Sequence, residues 1–416
     1  MASHFREEEK PKRSGGKALI IILCIIAALA VIGAGVFFGS RFLMQSKVEP
    51  APTEAAQAIV TEAPTQAPTE APTEAAYLSY MNTMTDRDKL CQLFIVSPES
   101  ITGVSEVTEA GETTKEALEK FPAGGVVYFS QNLVDKDQTA SMISNTQSYS
   151  KTPLFIAVDE EGGSVARCAE KLGTTKFDPM YSYKEQGAQT AHDNAKTIGS
   201  DIAELGFNLD FAPVTDVWTN PENTIIGDRA YSDNFDEVSA LIPNAVSGFH
   251  DGGVLCSLKH FPGHGDTVED SHSGLAHVNK TAEELENGEL LPFKAGIGAG
   301  ADMVMVGHLV VESIDDKPAT LSSKIVPDLL RQKLGYDGVV ITDAMNMGAI
   351  TQNYGYDEIV KGIFDADIDM ILYPDAPNAY MDALEKALAD GSITMEQVNA
   401  KVARILKLKY DKGIMK

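Results

Sequence analysis

Val254-Leu255-Cys256-Ser257-Leu258-Lys259-His260-Phe261-Pro262-Gly263-His264-Gly265-Asp266-Thr267-Val268-Glu269-Asp270-Ser271-His272 is where this chain changes character. Its first five residues read as a buried strand, and the run is then broken by Pro262, Gly263 and Gly265. From Lys259 onward, three histidines, three acidic groups and a lysine crowd into fourteen residues, too polar and too Gly-rich for a core. A loop at the end of a strand is fixed by its scaffold while its side chains stay exposed, the usual setting for chemistry.

The residues of this loop admit three readings. One is a solvated loop whose charges merely cluster. Another is a metal site, with His260, His264, Asp266, Asp270 and His272 as ligands; no helical His-x-x-x-His arrangement is possible, because Pro262 and the glycines forbid a helix. The third is acid/base chemistry by Asp270 with His272. Residues two apart in an extended loop point the same way, so the carboxylate can hydrogen-bond the imidazole and hold one tautomer.

Working outward, eight apolar runs alternate with helix-like segments: 93–96, 125–129, 154–159, 209–214, 254–260, 303–308, 339–343 and 370–373. Eight β/α units in about 340 residues predict a single (β/α)8 TIM-type barrel. A doubly wound sheet would want a Gly-rich phosphate turn after its first strand, and there is none. Five runs end at or just before an ionisable group: Asp159, Asp216, His260, His308 and Asp343. In a barrel, groups at the C-terminal strand ends converge on one face. A lone Asp there is often only a helix cap; five in register are not.

Lys259-His260-Phe261-Pro262-Gly263-His264-Gly265-Asp266-Thr267, followed by Asp270-Ser271-His272, closely resembles the signature of glycoside hydrolase family 3, and more narrowly its β-N-acetylglucosaminidase branch. Further matches at Asp159–Arg167, Asn208–Val217, Ile226–Arg229, Ala299–His308, Pro318–Ser322 and Gly338–Met347 extend the resemblance from about Tyr77 to the C-terminus. It implies Asp343 as the nucleophile, His272 as general acid/base oriented by Asp270, and Asp159, Arg229, Lys259 and His260 as sugar-binding residues. The bare residues leave rivals: Asp343 as a helix cap, Arg229 paired with Asp228 or Asp216, and His308 as a satisfied structural histidine. Where the family commonly has Gln and Arg, this chain has Glu160 and Ser164, departures expected to alter polarity near the sugar. No additional α/β sandwich is expected, so the acid/base is expected from the barrel's own loop.

The activity implied is that of a retaining exo-β-N-acetylglucosaminidase acting on terminal β-linked GlcNAc, with cell-wall peptidoglycan fragments as the source. An imidazole acid does not repel an anion as a carboxylate would, which leaves phosphorolysis as an alternative. A broader β-glucosidase and a non-catalytic wall-binding module are the others. No metal or organic cofactor is implied, and a monomer is expected.

Composition limits the partners. The net charge is −26, and residues 1–45 carry six Lys/Arg and three Glu, a net of +3 that leaves −29 for the rest. Such an acidic body excludes nucleic acid, whose phosphates need a basic face. Cys24, Cys91, Cys168 and Cys256 show no metal spacing and read as small apolar residues. Residues 18–39 form an uncharged apolar run after a basic segment, 1–17, and are expected to be a transmembrane signal anchor with the head outside. Cleavage as a signal peptide, giving a secreted head, is the rival. Residues 40–76 read as a disordered linker, within which residues 46–76 carry repeated Ala-Pro-Thr-Glu and form an extended stalk, on the order of 90 Å in polyproline geometry. The hydrolase domain is then 77–416.

Overall fold

The computed structural model describes residues 75–268 and 274–416. Every one of the eight apolar runs forms a strand: β1 (Phe94–Val96), β2 (Gly125–Val127), β3 (Phe155–Val158), β4 (Leu209–Asp210), β5 (Leu255–Phe261), β6 (Met303–Val306), β7 (Val339–Thr342) and β8 (Ile371–Leu372). They pair in sequence order, all parallel. A parallel bridge between Ile341 and Met370 joins β7 to β8 and closes the ring, supported by the Thr342 amide on the Met370 carbonyl at 3.0 Å. Closure leaves no sheet edge, which explains why strands this short hold together. All their residues are buried, as expected of strands covered by helices outside and packed side chains within.

Eight helices follow the strands on the outside: α1 (Glu112–Lys120), α2 (Lys136–Tyr149), α3 (Ala188–Glu204), α4 (Phe235–Asp251), α5 (Leu290–Gly298), α6 (Ile325–Lys333, in π-helical geometry), α7 (Tyr356–Asp365) and α8 (Pro377–Asp390). Their patterning is amphipathic. In α7, Ile359, Val360, Ile363 and Phe364 are buried at one-turn spacing while Asp357, Glu358 and Lys361 face out. Starts are marked by side chains: Asn234 accepts from the Asp236 and Glu237 amides at the head of α4.

The last helix is α9 (Met395–Asp411), which opens with a Thr394–Gln397 capping box. It packs on the two helices that precede β1, Ala76–Asn82 and Asp86–Gln92. From it the buried Lys409 reaches Gln92 Oε1 at 2.9 Å, with its ammonium 4.9 Å from the Phe155 ring centre. Cys91, Cys168 and Cys256 are free and buried.

The expected basic segment, the span at 18–39 and the stalk up to 74 lie outside the described residues, as do Asp270 and His272. Among the described residues no helix is long and apolar enough to cross a membrane.

Candidate active site

Asp159 follows the last residue of β3, and a short antiparallel hairpin, Glu160–Gly162 with Val165–Ala166, is built directly on it. The hairpin swings Glu161 back over the barrel mouth. There it meets Lys259 from β5 and Arg229 from the loop after β4. Lys259 Nζ lies 2.8 Å from Asp159 Oδ1 and 2.7 Å from Glu161 Oε1. Arg229 donates through Nε to Glu161 Oε2 at 2.9 Å and through Nη2 to Oε1 at 2.8 Å, a two-point grip that fixes the guanidinium plane. Nη1 is held by the Ile225 carbonyl at 2.8 Å. Two cations and two anions balance, which is what lets them be buried together.

Exposure separates their duties. The side chains of Glu161 and Lys259 are 1% and 3% exposed, whereas Asp159 retains 20%. Asp159 is thus the carboxylate with an oxygen left for a ligand, and Glu161 is the one spent on aligning the cations. Burial alone would raise the Glu161 pKa, but Arg229 and Lys259 hold it below the usual carboxylate range. Burial would lower Lys259, and Asp159 and Glu161 more than offset that, keeping it charged.

Lys259 and His260 are adjacent in a strand, where alternation would send one of them outward. The β5–β6 register shifts between Leu258 and Phe261, and with that bulge both residues line the same cavity. His260 is then locked by Asp216. The fully buried carboxylate takes the His260 ring through Nδ1 at 2.7 Å and the His260 amide at 3.1 Å. It also takes the His264 amide at 2.7 Å. With Nδ1 committed, Nε2 is the nitrogen that His260 offers to a ligand. Burial would raise the Asp216 pKa, and His260 and His264 outweigh it, so this group stays ionised as the hub of the loop.

The glycines of Pro262-Gly263-His264-Gly265 make that loop possible. Gly263 has φ +129°, and a Cβ on Gly265 would lie 1.8 Å from the Val217 carbonyl oxygen. His264 is buried, with Nδ1 2.7 Å from Thr267 Oγ1, and burial, reinforced by repulsion from His260, pushes its pKa down.

Asp343 follows β7. Its amide donates to the Val306 carbonyl at 2.8 Å, and its Oδ1 accepts from the Ala344 amide at 2.7 Å. Burial works against its charge, but His260, His308 and the Ala344 amide together draw its pKa below the ordinary value. An ionised carboxylate results. His308 does this from behind: buried, it bonds Thr320 Oγ1 and the Ala344 carbonyl, each at 3.0 Å, and so pins the turn that carries Asp343. That agrees with its reading as a structural histidine.

Asp159, Arg229, Lys259, His260 and Asp343 all line one cavity of about 360 Å³, within the range of small-ligand pockets. Five of the seven site residues expected from the sequence are thereby brought together. Phe129 and Tyr373, at the ends of β2 and β8, form an aromatic pair on its wall with ring centres 4.8 Å apart. Tyr373 holds φ +44°, uncommon for a non-glycine residue. Arg167 lines it as well. Sequence reading passed over Glu161, Phe129, Tyr373 and Arg167. The only signal for Glu161 was its place after Glu160 in a carboxylate pair, and nothing in the sequence says which of the two turns inward.

One rival reading falls and one expectation is corrected. Arg229 pairs with Glu161, and neither Asp228 nor Asp216 is its partner, because the hairpin brings a closer carboxylate. Glu160 does not alter the polarity around a sugar; it turns away from the cavity, and its oxygens accept from the Cys168 and Ala169 amides at 2.7 and 2.9 Å. Burial raises its pKa to about 7 despite those two bonds. Ser164, the other departure, is exposed. Among the described residues one trio, His250, Cys256 and Asp302, brings its metal-ligating atoms within 4.8 Å, and none of the three lines this cavity.

The Glycosyl hydrolase family 3 N terminal domain matches residues 85–408. The chain belongs to glycosyl hydrolase family 3. This family 3 chain is 36% identical over 327 residues to "Beta-hexosaminidase A" of Pseudoalteromonas piscicida, covering 71% of its own length but only 54% of that protein. To "Beta-hexosaminidase" of Xylella fastidiosa it is 35% identical over 276 residues, 64% of this chain and 81% of that one. Among solved structures it resembles a glycoside hydrolase family 3 beta-N-acetylglucosaminidase from Paenibacillus sp., with a TM-score of 0.75 and 36% identity over 80% of this chain and 63% of the other. It also resembles M tuberculosis LpqI, at 0.72 and 31% over 80% and 96%. The chain thus spans about half the length of the Pseudoalteromonas protein and four fifths of the Xylella one.

Proposed function

We propose that this chain is a retaining exo-β-N-acetylglucosaminidase that removes terminal β-linked GlcNAc. One observation carries the reading: an ionised carboxylate, Asp343, shares one cavity with Asp159, Arg229, Lys259 and His260. Donors and acceptors in that arrangement match the hydroxyls of one sugar ring, and its size suits a terminal unit better than an internal one. The names of the relatives support the acetamido sugar.

In this reading the terminal sugar lies against Asp159, Lys259, Arg229 and His260, which orient its hydroxyls. Asp343 attacks the anomeric carbon and forms a glycosyl ester with inversion. The leaving oxygen takes a proton from His272, oriented by Asp270; that assignment rests on the sequence motif, since both residues lie outside the described ones. The same imidazole then deprotonates water, which releases the sugar with net retention. Peptidoglycan fragments as the source, and an exported head tethered by residues 18–39, complete the proposal on the strength of the N-terminal sequence.

A chromogenic β-GlcNAc glycoside tests it. Wild type turns the substrate over with β-GlcNAc as first product, and Asp343→Asn lowers kcat at least 10,000-fold while ligand binding persists. Wild-type turnover by a folded Asp343→Asn variant refutes the nucleophile. Running the assay in phosphate and in phosphate-free buffer identifies phosphorolysis, which would yield the sugar 1-phosphate.

A further inference from the structure

A second cluster of reactive side chains lies at the opposite end of the barrel from the sugar cavity. His250 closes α4, Cys256 is the second residue of β5, and Asp302 immediately precedes β6. Lys259 and His260, which face the cavity, stand at the other end of the same strand. Asp302 Oδ2 lies 2.7 Å from His250 Nε2 and 3.0 Å from the Cys256 amide nitrogen, and Cys256 Sγ is 3.9 Å from His250 Nε2. Lys412, just past α9, sits 2.6 Å from the other carboxylate oxygen, Oδ1. Cys256 is completely buried and the Asp302 side chain is 1% exposed, while His250 keeps 27% and so provides the way in.

We propose that His250, Cys256 and Asp302 form a three-ligand zinc site. The donors are a thiol, an imidazole and a carboxylate, a set that suits zinc and is too soft for calcium or magnesium. With ordinary zinc bond lengths, a tetrahedral site needs its sulfur and nitrogen about 3.5 Å apart and its nitrogen and oxygen about 3.3 Å apart. The corresponding distances here, 3.9 and 2.7 Å, differ from those by less than one ångström. Side-chain rotation alone can make that up. Lys412 does not compete for the ligating oxygen, since it engages Oδ1 and leaves Oδ2 facing the thiol and the imidazole. A thiolate and a carboxylate neutralise the dication. Binding therefore releases the Cys256 thiol proton, and the His250 ring carries its remaining proton on Nδ1. Water fills the fourth position from the adjoining cavity, about 240 Å³, lined by Asn208, His250, Leu255, Lys412 and Ile414.

Such an ion joins the end of α4 to the starts of β5 and β6, and through Asp302–Lys412 to the end of α9. It ties the chain's C-terminus to the bottom of the barrel. Because it touches no residue of the sugar cavity, it contributes to stability and not to turnover.

Full-length protein, stripped with a chelator and dialysed, is titrated with Zn²⁺ against a chromophoric zinc indicator. In parallel it is titrated with Co²⁺, reading the thiolate-to-cobalt charge-transfer band. Wild type is expected to take up one more high-affinity Zn²⁺ per chain than Cys256→Ser or His250→Ala, with zinc at least tenfold weaker at the altered site. Zinc should raise the Tm of wild type but not of these variants, and His250→Ala should keep its kcat/KM. The cobalt band should survive Cys24→Ser and disappear in Cys256→Ser. Should Cys256→Ser fold poorly, the wild-type and Cys24→Ser spectra still decide the matter. Equal zinc uptake by wild type and His250→Ala, or no thiolate band in wild type, overturns the site.

Discussion

Glu161→Gln is the substitution that most directly tests how this cavity is built. The carboxylate makes three charge-assisted contacts, at 2.7, 2.8 and 2.9 Å, with Lys259 and Arg229, and it is almost fully buried. Glutamine keeps the shape, loses the charge and points an N–H₂ group at one of two cations. Removing one partner of a buried ion pair costs about 3–5 kcal/mol, so the variant should melt earlier yet stay folded in the cold. Its kinetic effect comes from Lys259 and Arg229, each of which loses a charge-assisted bond of about 1.5–3 kcal/mol and with it a fixed direction. If both losses reach the transition state, the barrier rises by about 3–6 kcal/mol and kcat/KM falls roughly 150-fold to 25,000-fold. The assay is hydrolysis of a chromogenic β-GlcNAc glycoside at 10 °C, with circular dichroism on the same sample. A double variant with Lys259→Gln should lose less than the sum of the two singles, because the two side chains act as one unit. A folded Glu161→Gln with kcat/KM within threefold of wild type refutes the alignment role.

Three further outcomes are expected. Glu160 has its folded pKa raised to about 7 from 4.5 by burial. Between those values the folded chain binds more protons than the unfolded one, so stability falls as pH rises from 4.5 to 7, by about 3 kcal/mol from this group; urea midpoints at pH 5 and 7.5 should show a drop that Glu160→Gln reduces. Asp216→Asn frees the His260 ring and weakens the hold on the His264 amide, and about 10-fold to 100-fold in kcat/KM should be lost, a size typical of groups that orient a ligand from behind; unchanged kinetics would show that His260 needs no such anchor. Tyr373→Ala removes half of the aromatic pair on the cavity wall, a contact of about 0.5–1.5 kcal/mol, and KM for the chromogenic substrate should rise up to about 10-fold with kcat nearly constant.

The barrel was legible from sequence because its signal is local. Each of the eight strands is a short run of apolar residues broken by turn residues, and a closed parallel barrel needs little more than that repeat and helices between. Three of the site residues were legible for a similar reason: Asp159, His260 and Asp343 stand at or next to strand ends, and the ends of parallel strands meet on one face whatever the details between them. Lys259 and Arg229 were reached through the motifs they belong to, not through the strand pattern.

What the tertiary structure alone decided is who faces whom. Glu160 and Glu161 are consecutive carboxylates with the same chemistry, and only the hairpin after β3 turns one onto Arg229 and Lys259 and the other onto the amides of a helix. Alternation along β5 would have sent Lys259 and His260 to opposite sides; a register shift against β6 gives both to the cavity. Asp216, counted with the strand-end groups, proves to be the anchor of a loop and not a wall of the pocket. His250, Cys256 and Asp302 are up to fifty-two positions apart, so no spacing rule could group them. Sequence carries periodicity and residue type, which are properties of neighbours along the chain; pairing of charges depends on distances across it, and those exist only after the ring has closed.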